Sequence, residues 1–198
     1  VGLDMDYRDG QTPLDDEEKE GLLVETISTI SELDEFEQLN IEEAMQWVFS
    51  KKFNAKHVFT EKFICDLHKR MYGNIWVWGG KFRKTEKNIG VDKYQIPTQL
   101  KMLCDDVLFW IENSTYPPIE IAIRFKHRLV SIHCFSNGNG RHSRLMADII
   151  IEKLFYEEPF SWGALNLSKE SDARAHYLTA IKLADNNEYQ PLIDFARS

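Results

Sequence analysis

The stretch HCFSNGNGRHSR, residues 133–144, decides how this chain is read. It places a histidine, two glycines around an asparagine, and two arginines within twelve residues. Glycine lets the backbone turn tightly and lets a ligand approach its N–H groups. Apolar periodicity resumes directly afterwards in RHSRLMADIIIEKLFYE, so a helix begins at the turn. The free N–H groups and positive dipole end of that helix make an anion site. Arg141 and Arg144 lie three apart and share one face. Guanidinium forks suit phosphate oxygens. His133 stands at the end of the preceding helix, placed to take a proton from a nucleophile that attacks a bound phosphate. Each part also has a plainer role: solvated arginines beside a glycine turn, and a helix-ending histidine satisfied by nearby carbonyls. The Walker pattern GxxxxGK[ST] is absent.

Working outward, residues 119–132 carry Ala122, Phe125, Leu129 and Ile132 in helical register, after a break at YPP. Pro97 suits the first turn of a helix that runs to about Asn113, with Leu100, Leu103, Cys104, Val107 and Ile111 on one face. Residues 74–97 mix aromatic and β-branched side chains around Gly90, a pattern that predicts short strands or a hairpin at NIGVDKYQI. Residues 60–73 predict a helix capped by Thr60, with Phe63, Ile64, Leu67 and Met71 inward and Gly73 as its stop. Residues 30–52 predict another, capped by Ser31, with Leu33, Phe36, Ile41, Ala44, Trp47 and Val48 as its stripe. The acidic start, 1–29, reads as an arm that is extended over its first twenty residues. Ser168 is expected to cap a long helix through Ala184, and YQPLIDFARS closes the chain. The expected architecture is mainly α with one small β-hairpin, in a single domain over 30–198.

The 198 residues are enough to bury a sizeable core. The net charge of −8 disfavours nucleic acid, whose binders present a basic face to phosphates. No apolar run is long enough to span a membrane, and no secretory signal opens the sequence. Cys65, Cys104 and Cys134 are odd in number and far apart, which suggests reduced thiols in a cytoplasm. Trp76, Trp78 and Trp110 sit in apolar segments and are expected in the core, not in a base-stacking platform.

The 133–144 stretch resembles the Fic motif, HxFx(D/E)GNGRxxR, at His133, Phe135, Gly138, Asn139, Gly140, Arg141 and Arg144. LHKRMYGNIWVWGGKFR is similar to the Fic segment that leads into a flap, so the likeness covers roughly 33–165. TPLDDEEKEGL and TEKNIGVDKYQIP look more narrowly like the bacterial group called mobile mystery protein B. The resemblance implies a nucleotidyltransferase that moves AMP from ATP onto a Ser, Thr or Tyr hydroxyl of a target protein. His133 would be the general base, and Phe135 would fix the loop. The backbone at Gly138, Asn139 and Gly140 would bind phosphates, with Asn139 helping at the α-phosphate. Arg141 and Arg144 would neutralise the β- and γ-phosphates. The family's magnesium-holding carboxylate is replaced by Asn137, whose amide oxygen is an uncharged ligand for Mg2+, and Cys134 stands where Pro is usual. Ile89, Gly90 and Val91 would belong to the flap that aligns the target by strand addition, with Tyr94 as a wall of the site. On the helix over 30–52, Glu37 falls inside the apolar face with Leu33, Ile41, Ala44 and Val48, and a carboxylate there needs a partner. It resembles the inhibitory Glu of the family pattern (S/T)xxxE(G/N), which implies a pair with the second arginine, Arg144. Ser31 and Glu35 share the spacing but lack the following residue. Three alternatives stay open: another nucleotide, removal of AMP, or an idle module that binds nucleotide or a partner. A regulatory partner protein fits any of them.

Overall fold

The structure is a computed structural model that describes residues 12–164 and 170–198. Helix α1 spans Asp16–Glu20, closed by a capping box between Asp15 and Glu18. Helix α2 spans Ile30–Phe49 and is capped by Thr29, not Ser31. Thr29 is favoured because Glu32, three residues on, answers its backbone N–H, which Ser31 could not arrange. Phe36 in α2 is exposed rather than part of the buried stripe. A short α3, Ala55–Val58, precedes α4, Glu61–Tyr72, whose cap is Thr60 and whose end is Gly73, as the sequence predicts.

The predicted hairpin is absent: among the described residues no strand forms, and the sole bridge pairs Leu22 with Trp76. Several backbone groups of 85–95 are taken by side chains instead, and the Val91 N–H donates to the Ile132 carbonyl. Arg83 donates to the carbonyls of Thr85 and Val91, Glu86 accepts from the Lys93 N–H, and Asp92 accepts from the Tyr94 N–H. These bonds hold the segment in an irregular course in place of a strand ladder. It ends in a 3₁₀ turn, Lys93–Gln95, and Ile96, expected on a strand face, instead opens α5 (Ile96–Glu112) as a buried residue. Pro97 sits in the first turn of α5, as expected.

Helix α6 spans Pro118–Ile132, and α7 spans Asn139–Ile149 and runs on as one π-helical turn, Ile150–Leu154. Helices α8 (Glu170–Ala184) and α9 (Gln190–Arg197) complete the chain. The Ser168 cap falls outside the described residues. The core is one apolar cluster in which α6 and α7 pack together, flanked by α4, α2 and α5. Trp76 and Trp78 are buried and stacked, and Trp110 packs edge-on against Tyr116. The part of the arm from Thr12 onward is not simply extended, since it forms α1 and Thr12, Leu14 and Glu18 are buried. This arrangement brings the α6–α7 turn, α4, α2 and the arm to one place.

Candidate active site

His133 ends α6 in the left-handed region, at φ 58. That conformation is costly for a side chain with a Cβ and persists only where surroundings impose it. Arg83 imposes it: its Nε donates to the His133 carbonyl at 2.6 Å while Nη2 holds the Val91 carbonyl. Gly90 then packs against His133. A Cβ there would fall 2.7 Å from His133 Cβ, and φ is +102, so the position needs glycine. The ring is buried, and neither of its nitrogens has a hydrogen-bond partner. Burial, with Arg83 and Lys87 nearby, pushes the imidazole down to about 4, so it is neutral at physiological pH and carries an unprotonated ring nitrogen.

The turn itself is tied down from several sides. Phe135 is buried and stacks on His68, with centroids 3.7 Å apart. Gly80 N–H donates to His68 Nδ1, which leaves the ring proton on Nε2 to hold the Asn137 carbonyl at 2.9 Å. Burial keeps this histidine well below its ordinary range, in agreement with a neutral ring. Asn139 spends its side chain inside the loop: Oδ1 accepts from the Phe135 N–H and Nδ2 donates to the Phe135 carbonyl. Its amide is therefore a loop brace rather than a free donor. Gly138, the N-cap of α7, has φ +77 and no side chain to cap the helix. The N–H groups of Asn139, Gly140 and Arg141 have no acceptor among the described residues. A Cβ at Gly140 would meet nothing within 4 Å, so space lies open there. Uncapped N–H groups beside open space form a concrete anion cradle.

The two arginines are used differently. Arg141 Nη2 donates to Glu37 Oε2 at 2.8 Å, while Glu37 Oε1 accepts from Trp76 Nε1 at 2.7 Å. Glu37 is buried and its partner is about one-third exposed. The expected pair with Arg144 is thus corrected: α2 carries Glu37 to the first arginine, because Trp76 fixes the carboxylate over that turn of α7. Arg144 makes no hydrogen bond or ion pair among the described residues, and its guanidinium lies 5.4 Å from the Tyr177 ring centre. Buried Lys126 donates to the hydroxyl of the same tyrosine.

Asn137 does not fit a metal ligand here. Its Oδ1 accepts from the Gly138 N–H at 2.7 Å, and its Nδ2 donates to the Thr12 carbonyl at 3.0 Å. Among the described residues no group of three or more His, Cys, Asp or Glu could hold a metal ion. With neither carboxylate nor free oxygen, the position offers little to a hard cation. It clips the arm instead. The arm is held a second time by Lys87, which bonds Glu18 and the Pro13 carbonyl, and by Thr85, which donates to Glu18. The predicted wall residue Tyr94 is 81% exposed and Ile89 is also exposed, so neither encloses the site. Arg83, His68, Thr12 and Tyr72 were not singled out in the sequence. They are dispersed along the chain, in the TPLDDEEKEGL, LHKRMY and GKFR segments, whose resemblance gives no role to any of them.

A helical domain in which a histidine-ended helix, a glycine turn and an arginine-bearing helix surround an anion cradle defines a Fic-type fold. Residues 58–151 match the model of the Fic/DOC family. Among curated proteins it is similar to "Protein adenylyltransferase Fic" of Aedes aegypti, 25% identical over 163 residues, which is 80% of this chain and 31% of that protein. It is 28% identical to the protein of the same name in Drosophila grimshawi, over 80% of this chain and 32% of that one. The chain thus spans about a third of the length of these relatives. Among solved structures it resembles Fic-1 of C. elegans, with TM-score 0.66 and 23% identity over 90% of this chain and 51% of that one. It also resembles BepC of Bartonella tribocorum, solved with bound AMPPNP, with TM-score 0.67 and 15% identity over 92% and 97% of the two chains. No described helix is long and apolar enough to cross a membrane.

Proposed function

We propose that this chain is a protein adenylyltransferase held in an inhibited state by Glu37. The observation that carries the reading is one juxtaposition. A neutral imidazole with both nitrogens unpartnered stands directly before the uncapped N-terminus of α7 and its two arginines. The names of the curated relatives and the ATP analogue bound to BepC support it.

In this reading the N–H groups of Asn139, Gly140 and Arg141 receive phosphate oxygens of ATP, and Arg141 and Arg144 take the remaining negative charge. A hydroxyl oxygen of the target attacks the α-phosphorus, and its proton passes to His133. The bond from that phosphorus to the leaving pyrophosphate oxygen breaks as the new one forms. Donors preset against the developing charge supply most of the rate in sites of this kind. The residues present do not fit Mg2+, so no step is assigned to it. Ile89 and Tyr94, exposed on the segment that packs over His133, offer apolar contacts to a target. Glu37 holds Arg141 away from phosphate, so the resting enzyme is braked, and a regulatory partner that draws α2 away would release it. The likeness to the mobile mystery protein B group and a reducing, cytoplasmic setting for the free cysteines belong to the same reading. The test is incubation of the Glu37→Gly protein with ATP, GTP, CTP or UTP, with intact mass read for self-modification. One added adenylate, from ATP alone, is expected. Adducts from another nucleotide, or from none, would overturn the assignment.

A further inference from the structure

We propose that the Tyr72 hydroxyl is a phosphate-binding donor of this site, an inference that rests on the nucleotide reading above. Tyr72 is the last residue of α4 and is completely buried. Its Oη has no hydrogen-bond partner. Buried hydroxyls almost always find one, and an unmade bond destabilises the folded chain. Phenylalanine would fill the same space without that loss, so ring packing does not account for the oxygen.

The position of the hydroxyl does account for it. A Cβ built on Gly138 would lie 2.4 Å from the ring and 2.7 Å from Oη. The phenol therefore abuts the N-cap residue of α7, next to the three N–H groups that no acceptor claims. The guanidinium of Arg141 stands 5.3 Å from the centre of the same ring. The charged groups that act on this phenol are Arg141, Glu37 and Arg144, the two motif arginines and the carboxylate that neutralises one of them. Burial raises the phenol above its ordinary value, so it is a donor and not an anion. While Glu37 holds Arg141, nothing satisfies this donor. Once the carboxylate withdraws, a phosphate oxygen entering beside Arg141 meets an orphaned O–H with no alternative partner.

The discriminating variant is Tyr72→Phe, made in the Glu37→Gly protein. Affinities for AMPPNP, inorganic triphosphate and adenosine are measured by calorimetry, and melting temperature is measured without ligand. The expected result is about tenfold weaker binding of AMPPNP and of triphosphate, the usual loss for one hydrogen bond to a charged group. Melting temperature should hold or rise, since an unsatisfied polar atom is removed. Equal AMPPNP affinity in the two proteins would overturn the inference and leave the nucleotide reading standing. A loss seen for adenosine but not triphosphate would overturn the phosphate assignment. A clear fall in melting temperature would show that the hydroxyl serves the fold instead. Failure of both proteins to bind AMPPNP would remove the nucleotide reading and this inference together.

Discussion

Replacing Glu37 by glycine should make the protein less stable and its phosphate site stronger at the same time. Three losses act on stability. Glycine in a helix interior costs up to about 1 kcal/mol. Trp76 Nε1, deep in the core, loses its acceptor at 2.7 Å, which costs about 1–3 kcal/mol for an unsatisfied buried donor. The Arg141 pair contributes less than its 2.8 Å length suggests, because about a third of the guanidinium side chain is in water. The sum is about 2–4 kcal/mol, or a melting temperature roughly 5–15 °C lower for a chain of this size. The freed guanidinium then acts on phosphate instead of carboxylate, which should tighten ATP-analogue binding by about ten- to a hundredfold, as expected for one charge-assisted bond. Glu37→Gln separates the two effects. Its amide oxygen can still accept from Trp76, so stability should be nearly kept, while the competing charge is gone. The assay is differential scanning calorimetry with and without AMPPNP, run also in Arg141→Ala and the double variant. A Glu37→Gly protein that melts lower but binds no tighter, or one whose gain survives Arg141→Ala, would refute the brake.

Asn137→Asp exchanges an amide donor for a carboxylate oxygen that faces the Thr12 carbonyl. It should therefore loosen the arm, seen as faster proteolysis before Leu14, and at the same time make transfer respond to added magnesium. Acid should destabilise the fold between about pH 6.5 and 4. Burial holds His133 and His142 at about 4 and keeps His68 and His127 below their ordinary value, so the unfolded chain takes up protons the folded chain refuses. Asp148 runs the other way, since burial raises it to about 6 and the folded chain keeps that proton. His133 and His142 against Asp148 leave an uptake of about one proton on unfolding near pH 5, or ~1.4 kcal/mol per pH unit, to which His68 and His127 add, present as stability above 6.5 and lost on acidification. Denaturant titrations at pH 5 and 7 measure it, and equal stabilities would contradict these assignments.

The parts of the site that were legible in sequence are those whose chemistry is contiguous. His133, the glycine turn and both arginines fall within twelve residues, and one helix start organises them. Thr60 and Pro97 were readable for the same reason, as local rules of helix ends. The hairpin failed because a β-like pattern at 89–96 was overruled by Arg83, whose hydrogen bonds reach both this segment and His133. The resemblance implies Arg144 as the partner of Glu37, but periodicity only places Glu37 on a face of α2 and does not set how α2 is turned against α7, 104 residues away, where it meets Arg141. Tyr72 and His68 looked like ordinary positions of an amphipathic helix. Only the fold shows that they meet the glycine turn. The start reads as an extended arm because acidic composition does not reveal that Glu18 has Lys87 to pair with.

The central claim is that His133 takes the proton of the attacking hydroxyl. Label transfer from α-labelled ATP, measured in Glu37→Gly and in Glu37→Gly with His133→Ala at matched AMPPNP affinity, tests it most directly. The account predicts a loss of about two to four orders of magnitude in transfer with nucleotide binding retained. Transfer at an unchanged rate without the imidazole would contradict it.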